Sequence, residues 1–160
     1  MMSDARFADA GPDAALAIRA EDDDDLAVLA ALAQDAVLSV ADMGYDPKSR
    51  RFSLLLNRFR WEDAESARRE SRPYERVRAL LVISDVLRVR HDGIDRDDPE
   101  TVLSLLSLDW QPGEDGTGRL VLAFAGDGAV VIDAECLSVD LRDVARPHRA
   151  ASADLPRHEP

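Results

Sequence analysis

Apolar positions along this chain keep one period near its start and another afterwards. In EDDDDLAVLAALAQDA, residues Leu26, Val28, Leu29, Leu32 and Ala33 recur at helical spacing behind an acidic run at residues 21–25. Aspartates at a helix start cap free amides and complement the positive end of the helix dipole, so the pattern predicts one helix over about 23–35. From Val37 on, short β-rich segments follow, divided by turn residues at Asp46-Pro47, His91-Asp92-Gly93, Gln111-Pro112-Gly113 and Gly126-Asp127-Gly128. Asp127-Gly128 between apolar runs is a hairpin signal. The charged stretch 62–75 (EDAESARRESRPYE) reads as a loop or short helix.

Self-comparison adds a second layer. VLSVADMGYDP at 37–47 aligns without gaps on VLSLLSLDWQP at 102–112, with Val, Leu, Ser and Pro identical. RFSLLLN at 51–57 aligns on RLVLAFA at 119–125, and ALLVISDVLRVRHDGI at 79–94 on AVVIDAECLSVDLRDV at 129–144. Three blocks in the same order imply an internal duplication, with repeat one at about 37–94 and repeat two at about 102–144. The expected fold is α+β and mainly antiparallel β. Two copies of a three- or four-stranded unit would bury a shared face as a sandwich or partly open barrel, with one N-terminal helix. The expected limits are an N-terminal tail at 1–18, a single domain at 19–146 and an extended C-terminal tail at 147–160.

Composition then narrows the partners. In 160 residues, 32 acids face 20 basic residues, net −12. Such a field repels phosphate polyanions and anionic membrane, so nucleic acid and membrane are disfavoured. No apolar run approaches the roughly 20 residues of a membrane-spanning helix, and the first residues lack the basic start and apolar stretch of a signal peptide. The expected location is the cytoplasm. A single cysteine, Cys136, excludes an intrachain disulfide and any multi-cysteine zinc site. His91, His148 and His158 show no metal-ligand spacing, and EDDDD and HDGIDRDDPE do not fit a calcium loop. No nucleophile elbow, phosphate-cradling glycine loop or dinucleotide fingerprint is present, so neither a cofactor nor a catalytic residue is expected.

Against that acidic mean, residues 48–90 carry twelve basic and six acidic side chains. Arginines recur two apart, at Arg58/Arg60, Arg76/Arg78 and Arg88/Arg90, and Asn57 and Trp61 flank the first pair. On a strand, residues two apart share a face. If the strands are neighbours and the arginines face outward, Arg58, Arg60, Arg76, Arg78, Arg88 and Arg90, with Asn57 and Trp61, form one surface for an acidic partner. Guanidinium forks suit carboxylate or phosphate, and aromatics beside them stack on ligands. The alternative is internal charge balance. Asp133, Glu135, Ser138 and Asp140 of the second copy lie where the first is basic, and ion pairs between copies would absorb the arginines.

RAEDDDDLAVLAALAQDAV, DMGYDPKSRRFSLLLNRFRWE, ERVRALLVISDVLRVRHDGIDR, PETVLSLLSLDW and GAVVIDAECLSVDLRDVARP together resemble DUF2948, a bacterial family of unknown function, over about 18–148. The resemblance implies an uncharacterised small protein and brings no catalytic or binding residues with it. The expected function is a non-catalytic interaction module for an acidic protein partner or a second copy. A small enzyme or a binder of an anionic metabolite is the alternative, and RNA binding comes third.

Overall fold

The computed structural model describes residues 15–151 and 154–156. The first regular element is a short strand, β1 (Ala17–Ala20), followed by α1 (Asp23–Ala33). The α1 start is capped as its aspartates require: the Asp22 carboxylate accepts from the Asp25 amide at 2.8 Å, and Asp23–Asp25 fill the first turn. Asp35 reverses the chain at φ 64°. Then come β2 (Val37–Ser39), a 3-10 turn (Val40–Asp42), β3 (Met43–Asp46) and β4 (Arg51–Phe59). A second helix, α2 (Trp61–Arg69), precedes β5 (Glu75–Ile83) and β6 (Val86–Asp92). The remaining strands are β7 (Val102–Pro112), β8 (Gly118–Phe124), β9 (Ala129–Ala134), β10 (Val139–Asp143) and β11 (His148–Arg149).

All strand pairings are antiparallel. The strands run β1-β10-β5-β4-β2-β7-β8-β9-β6, with β3 added to β4 and β11 to β5. Among the described residues β1 and β6 end the path without pairing each other, so the sheet is open. Its inner face is nevertheless continuous. Leu54 and Leu56 of β4, Leu81 of β5 and Leu141 of β10 join Leu120 and Leu122 of β8 and Ile132 of β9 in one buried cluster, together with Leu26, Leu29 and Leu32 of α1. A sheet whose two halves contribute to one core curls around it, and α1 supplies Leu26, Leu29, Leu32 and Ala33 of the apolar stripe that its spacing announced, while Val28 is exposed.

Several expectations need amending. There are two helices, not one. Trp61–Arg69 has too few apolar residues for a core-facing stripe, and of its side chains only Ala67 and Asp63 are buried. It is held by charged hydrogen bonds, which periodicity does not reveal. The two blocks at 37–47 and 102–112 also differ in form. The second is one continuous strand, β7, whereas the first breaks into β2, a 3-10 turn and β3. The Asp42 carboxylate causes the break, accepting from the Ser39 amide at 3.0 Å and the Ser39 hydroxyl at 2.9 Å; residue 107, in the matching position, is Ser. The expected tail at 1–18 overlaps β1 at Ala17 and Ile18, and its residues 1–14 lie outside those described. The C-terminal stretch from 147 contains the two-residue strand β11. At the β8–β9 hairpin, Gly126 and Asp127 take positive φ (87° and 69°) within the three residues between Phe124 and Gly128, whose amide and carbonyl bond at 2.8 Å.

At Gly118 a Cβ would lie 2.4 Å from the Trp110 ring and 2.7 Å from the Gln111 carbonyl oxygen. Because one of those atoms is backbone, the site has no cheap way to yield. Gly118→Ala is expected to lower stability by about 1–3 kcal/mol, read from the urea midpoint; an unchanged midpoint contradicts this packing.

Candidate functional site

Side-chain parity along β4 decides where its arginines go. Phe52, Leu54 and Leu56 face the core, and Arg58 is the next residue of that series. Its side chain is fully buried. Two carboxylates, one from α2 and one from β10, meet it there. Arg58 donates through Nη1 and Nη2 to Glu62 at 2.9 and 2.7 Å, and through Nε and Nη2 to Asp143 at 2.9 and 3.1 Å. Its remaining Nη1 hydrogen reaches the Phe59 carbonyl at 3.3 Å. All five guanidinium hydrogens are used. Asp143 also accepts from the Leu16 amide at 2.9 Å, while its own amide donates to the Leu16 carbonyl at 2.8 Å.

Burial alone would raise the Glu62 pKa. The hydrogen bonds and charge of Arg58, its own backbone amide and the charge of Arg60 outweigh that and hold the carboxyl below its ordinary 4.5. For Arg58, burial works against the charged form and the two carboxylates more than restore it, so its pKa is raised.

Arg60 is buried too. Its guanidinium bonds Glu75 and lies 3.7 Å from Asp63, and its amide donates to the Glu75 carbonyl at 2.9 Å. Asp63 is itself buried and accepts from both Arg72 Nη atoms at 3.2 Å. Trp61 donates its indole N–H to the Gln34 carbonyl at 2.9 Å, fastening α2 to the end of α1. So the outward reading of Arg58 and Arg60 is corrected. Both sit inside, and the ion pair from Arg58 to Asp143 joins the first half of the chain to the second.

The other two arginine pairs lie on different strands. Arg76 and Arg78 are on β5, with Val77, Ala79 and Leu81 facing inward between and beyond them. Arg88 and Arg90 lie on β6, at the far end of the strand path. Arg88 is in register with Asp133, whose carboxylate bonds Arg119 at 3.0 Å, and Arg90 lies 3.4 Å from Asp92. A bulge between Val86 and Arg88 shifts the parity, so Leu87, which alternation with outward Arg88 and Arg90 would set inside, is half exposed. β5 and β6 are therefore not neighbours, and the six arginines are not brought together by strand pairing.

What strand pairing does bring together is a different set. Register places Asn57 of β4 beside Arg78 of β5, Leu55 beside Leu80, and Leu80 beside Arg142 of β10. Arg51, Leu55 and Asn57 share the outward side of β4; Arg76, Arg78, Leu80 and Val82 share that of β5. Among the described residues no carboxylate stands within ion-pair distance of Arg51, Arg76, Arg78 or Arg142. By contrast Arg19 bonds Asp140 at 2.9 Å and Arg50 bonds Glu135 through two 2.9 Å contacts. A groove of about 360 Å³ crosses the outward face, lined by Arg51, Leu80, Val82, Asp140 and Arg142. Sequence reasoning passed over Arg51 and Arg142. The signal was available in their alternation with Phe52 and Leu141, which sets both outward once the strands are known.

Arg76 and Asn57 continue the same face toward its other end. Phe59 faces outward there yet is covered: Trp61 lies 4.6 Å away, Tyr74 5.6 Å, and the Arg76 guanidinium 5.9 Å over the ring. Arg76 donates to the Asn57 carbonyl at 3.0 Å. Burial lowers its pKa, against the opposing charge of Asp35.

The DUF2948 family model, described as a protein of unknown function, matches residues 16–158, nearly the whole chain. The chain belongs to that family. No curated protein and no solved structure matches it. No helix among the described residues is long and apolar enough to cross a membrane.

Truncating Arg58 would leave Glu62 and Asp143 buried without their counter-charge. Arg58→Met is expected to cost about 3–5 kcal/mol at neutral pH, measured by urea unfolding. Because Glu62 is more acidic folded than unfolded, its contribution is complete above the unfolded value and is lost as pH falls through the folded one. The gap between wild type and Arg58→Met should therefore narrow as pH drops below about 4.5; a gap independent of pH contradicts the clasp.

Proposed function

We propose that this chain is a non-catalytic interaction module and that the outward face of β4, β5 and β10 receives an acidic, partly apolar segment of a protein partner. The observation that carries this reading is the set of arginines left without carboxylates in a chain of net −12. Acids outnumber bases and take up Arg19, Arg50, Arg58, Arg60 and Arg72, yet Arg51, Arg78 and Arg142 around Leu55, Leu80 and Val82 meet no carboxylate among the described residues. Arginine rims beside apolar side chains favour interfaces, because the fork binds carboxylate in two places and its stem packs on apolar groups. The whole-molecule charge opposes a polyanion such as RNA and selects a short acidic segment whose charge is local.

We also infer that the two halves derive from one duplicated unit. Support comes from the strand order read outward from the central β2–β7 pair. It runs β4, β5, β10 on one side and β8, β9, β6 on the other. Sequence comparison assigns β6 to the first copy and β10 to the second, so each meander is completed by the other copy's last strand. Under that reading the Arg58–Asp143 ion pair fastens an exchanged strand, and the groove lies where β10 joins the first meander.

The test is fluorescence anisotropy with a labelled peptide of alternating Glu and Leu. Wild type is expected to bind it more weakly as salt rises, and the Arg51→Glu/Arg142→Glu double variant to bind about tenfold or more weakly still. Equal binding of a Lys/Leu peptide, or an unaffected double variant that is folded, overturns the proposal.

A further inference from the structure

At the far end of the same face lies a separate cleft of about 580 Å³, between Val37, Asn57, Phe59 and Arg76 on the sheet and Leu155 and Pro156 of the C-terminal stretch. Its size is that of an ordinary small-molecule site. We propose that this cleft binds a small monocarboxylate bearing an N–H donor, the chemistry of the carboxyl end of an amino acid or peptide.

Arg76 uses one of its five donors, on the Asn57 carbonyl, and has no carboxylate partner among the described residues. The guanidinium lies over Phe59, itself wedged by Trp61 and Tyr74, and is tied through one nitrogen to the Asn57 carbonyl, which leaves the other donors of its planar fork for a ligand. Arg76 is half-buried and feels the charge of Asp35 without a carboxylate in ion-pair contact among the described residues, and a ligand carboxylate would supply that contact. The Asn57 side-chain oxygen is buried with no hydrogen-bond partner. Such an orphaned acceptor calls for a donor, which the ligand's N–H would supply. Phe59, Val37 and Leu155 offer apolar contact to its body.

Charge selects between anions. Asp35 is buried nearby and acts electrostatically on Arg76, and Asp154 stands at the cleft edge. A dianionic phosphate would meet these acids with twice the charge of a single carboxylate and the same one cation to offset it. This site uses Arg76 and Asn57, not the Arg51/Arg142 groove, and so stands or falls apart from the acidic-partner reading.

The experiment follows backbone amide shifts of the full chain during titration with N-acetyl-L-leucine, L-leucine, N-acetyl-L-leucine amide and inorganic phosphate. Saturable shifts at Asn57, Phe59 and Arg76 are expected with a carboxylate probe and not with the amide or phosphate. Tighter binding of N-acetyl-L-leucine supports the site with a peptide carboxyl end as its source; tighter binding of L-leucine supports it with a free amino acid. Arg76→Ala is expected to weaken binding about tenfold or more. Arg76→Lys keeps the charge without the fork and should fall between, with the spectrum showing that each variant is folded. No saturable shift with either carboxylate, equal binding by folded Arg76→Ala, or phosphate binding as well as the carboxylates overturns the proposal.

Discussion

A single guanidinium holds three parts of this molecule together. Arg58 continues the apolar inner row of β4, and a lone cation at that depth is not tolerable. It is tolerable here because Glu62 arrives from α2, Asp143 from β10 and the Phe59 carbonyl from the chain beside it, occupying every donor. The dependence also runs the other way. α2 has almost no apolar face, so the bonds from Arg58 to Glu62 and from Arg72 to Asp63, with that of Trp61 to the Gln34 carbonyl, give the helix its place. Through Asp143 the same clasp reaches Leu16 and so the entry to β1.

That interior arrangement explains why an acidic chain still displays bare arginines. The acids of the strands around that outward face are committed to particular partners. Asp143 is spent on Arg58, Asp140 on Arg19, Glu135 on Arg50 and Asp133 on Arg119. Net charge is a sum over the surface, whereas recognition depends on which charges share a face. The outward sides of β4, β5 and β10 keep Arg51, Arg76, Arg78 and Arg142 because no acid from a neighbouring strand falls within reach.

Much of the framework was legible in the sequence, since α1 and most strands follow simple periods and turn residues mark their ends. Arg58 was legible as well. Phe52, Leu54, Leu56 and Arg58 alternate without interruption, so parity alone sends Arg58 inward; the interleaved aromatics drew attention to a surface instead. α2 was legible only as one of two alternatives, a loop or a short helix, because charged contacts from Arg58, Arg60 and Arg72 hold it and leave no apolar period. Leu87 could not be placed by alternation across a bulge. Nor could strand order be read from the matching sequence blocks. β6 and β10 each lie beside the other half, so Arg76/Arg78 and Arg88/Arg90 part company despite being ten residues or so apart in the chain.

Phe59 is where the inner and outer systems meet. Its carbonyl receives a hydrogen from Arg58 on the core side, while its ring carries Arg76 on the other. Alternation along a strand makes this possible: Arg58 inward, Phe59 outward, Arg60 inward again. The backbone of Phe59 is further fixed by pairing with Arg76 across the β4–β5 ladder, so ring and guanidinium are set by the same two strands. A buried ion cluster is weak evidence of added stability, since apolar replacements of the same shape often serve as well. What such a cluster supplies here is position. It anchors the strand end whose opposite side bears Arg76 and Asn57, and a platform held that rigidly spends little of its binding energy on becoming ordered.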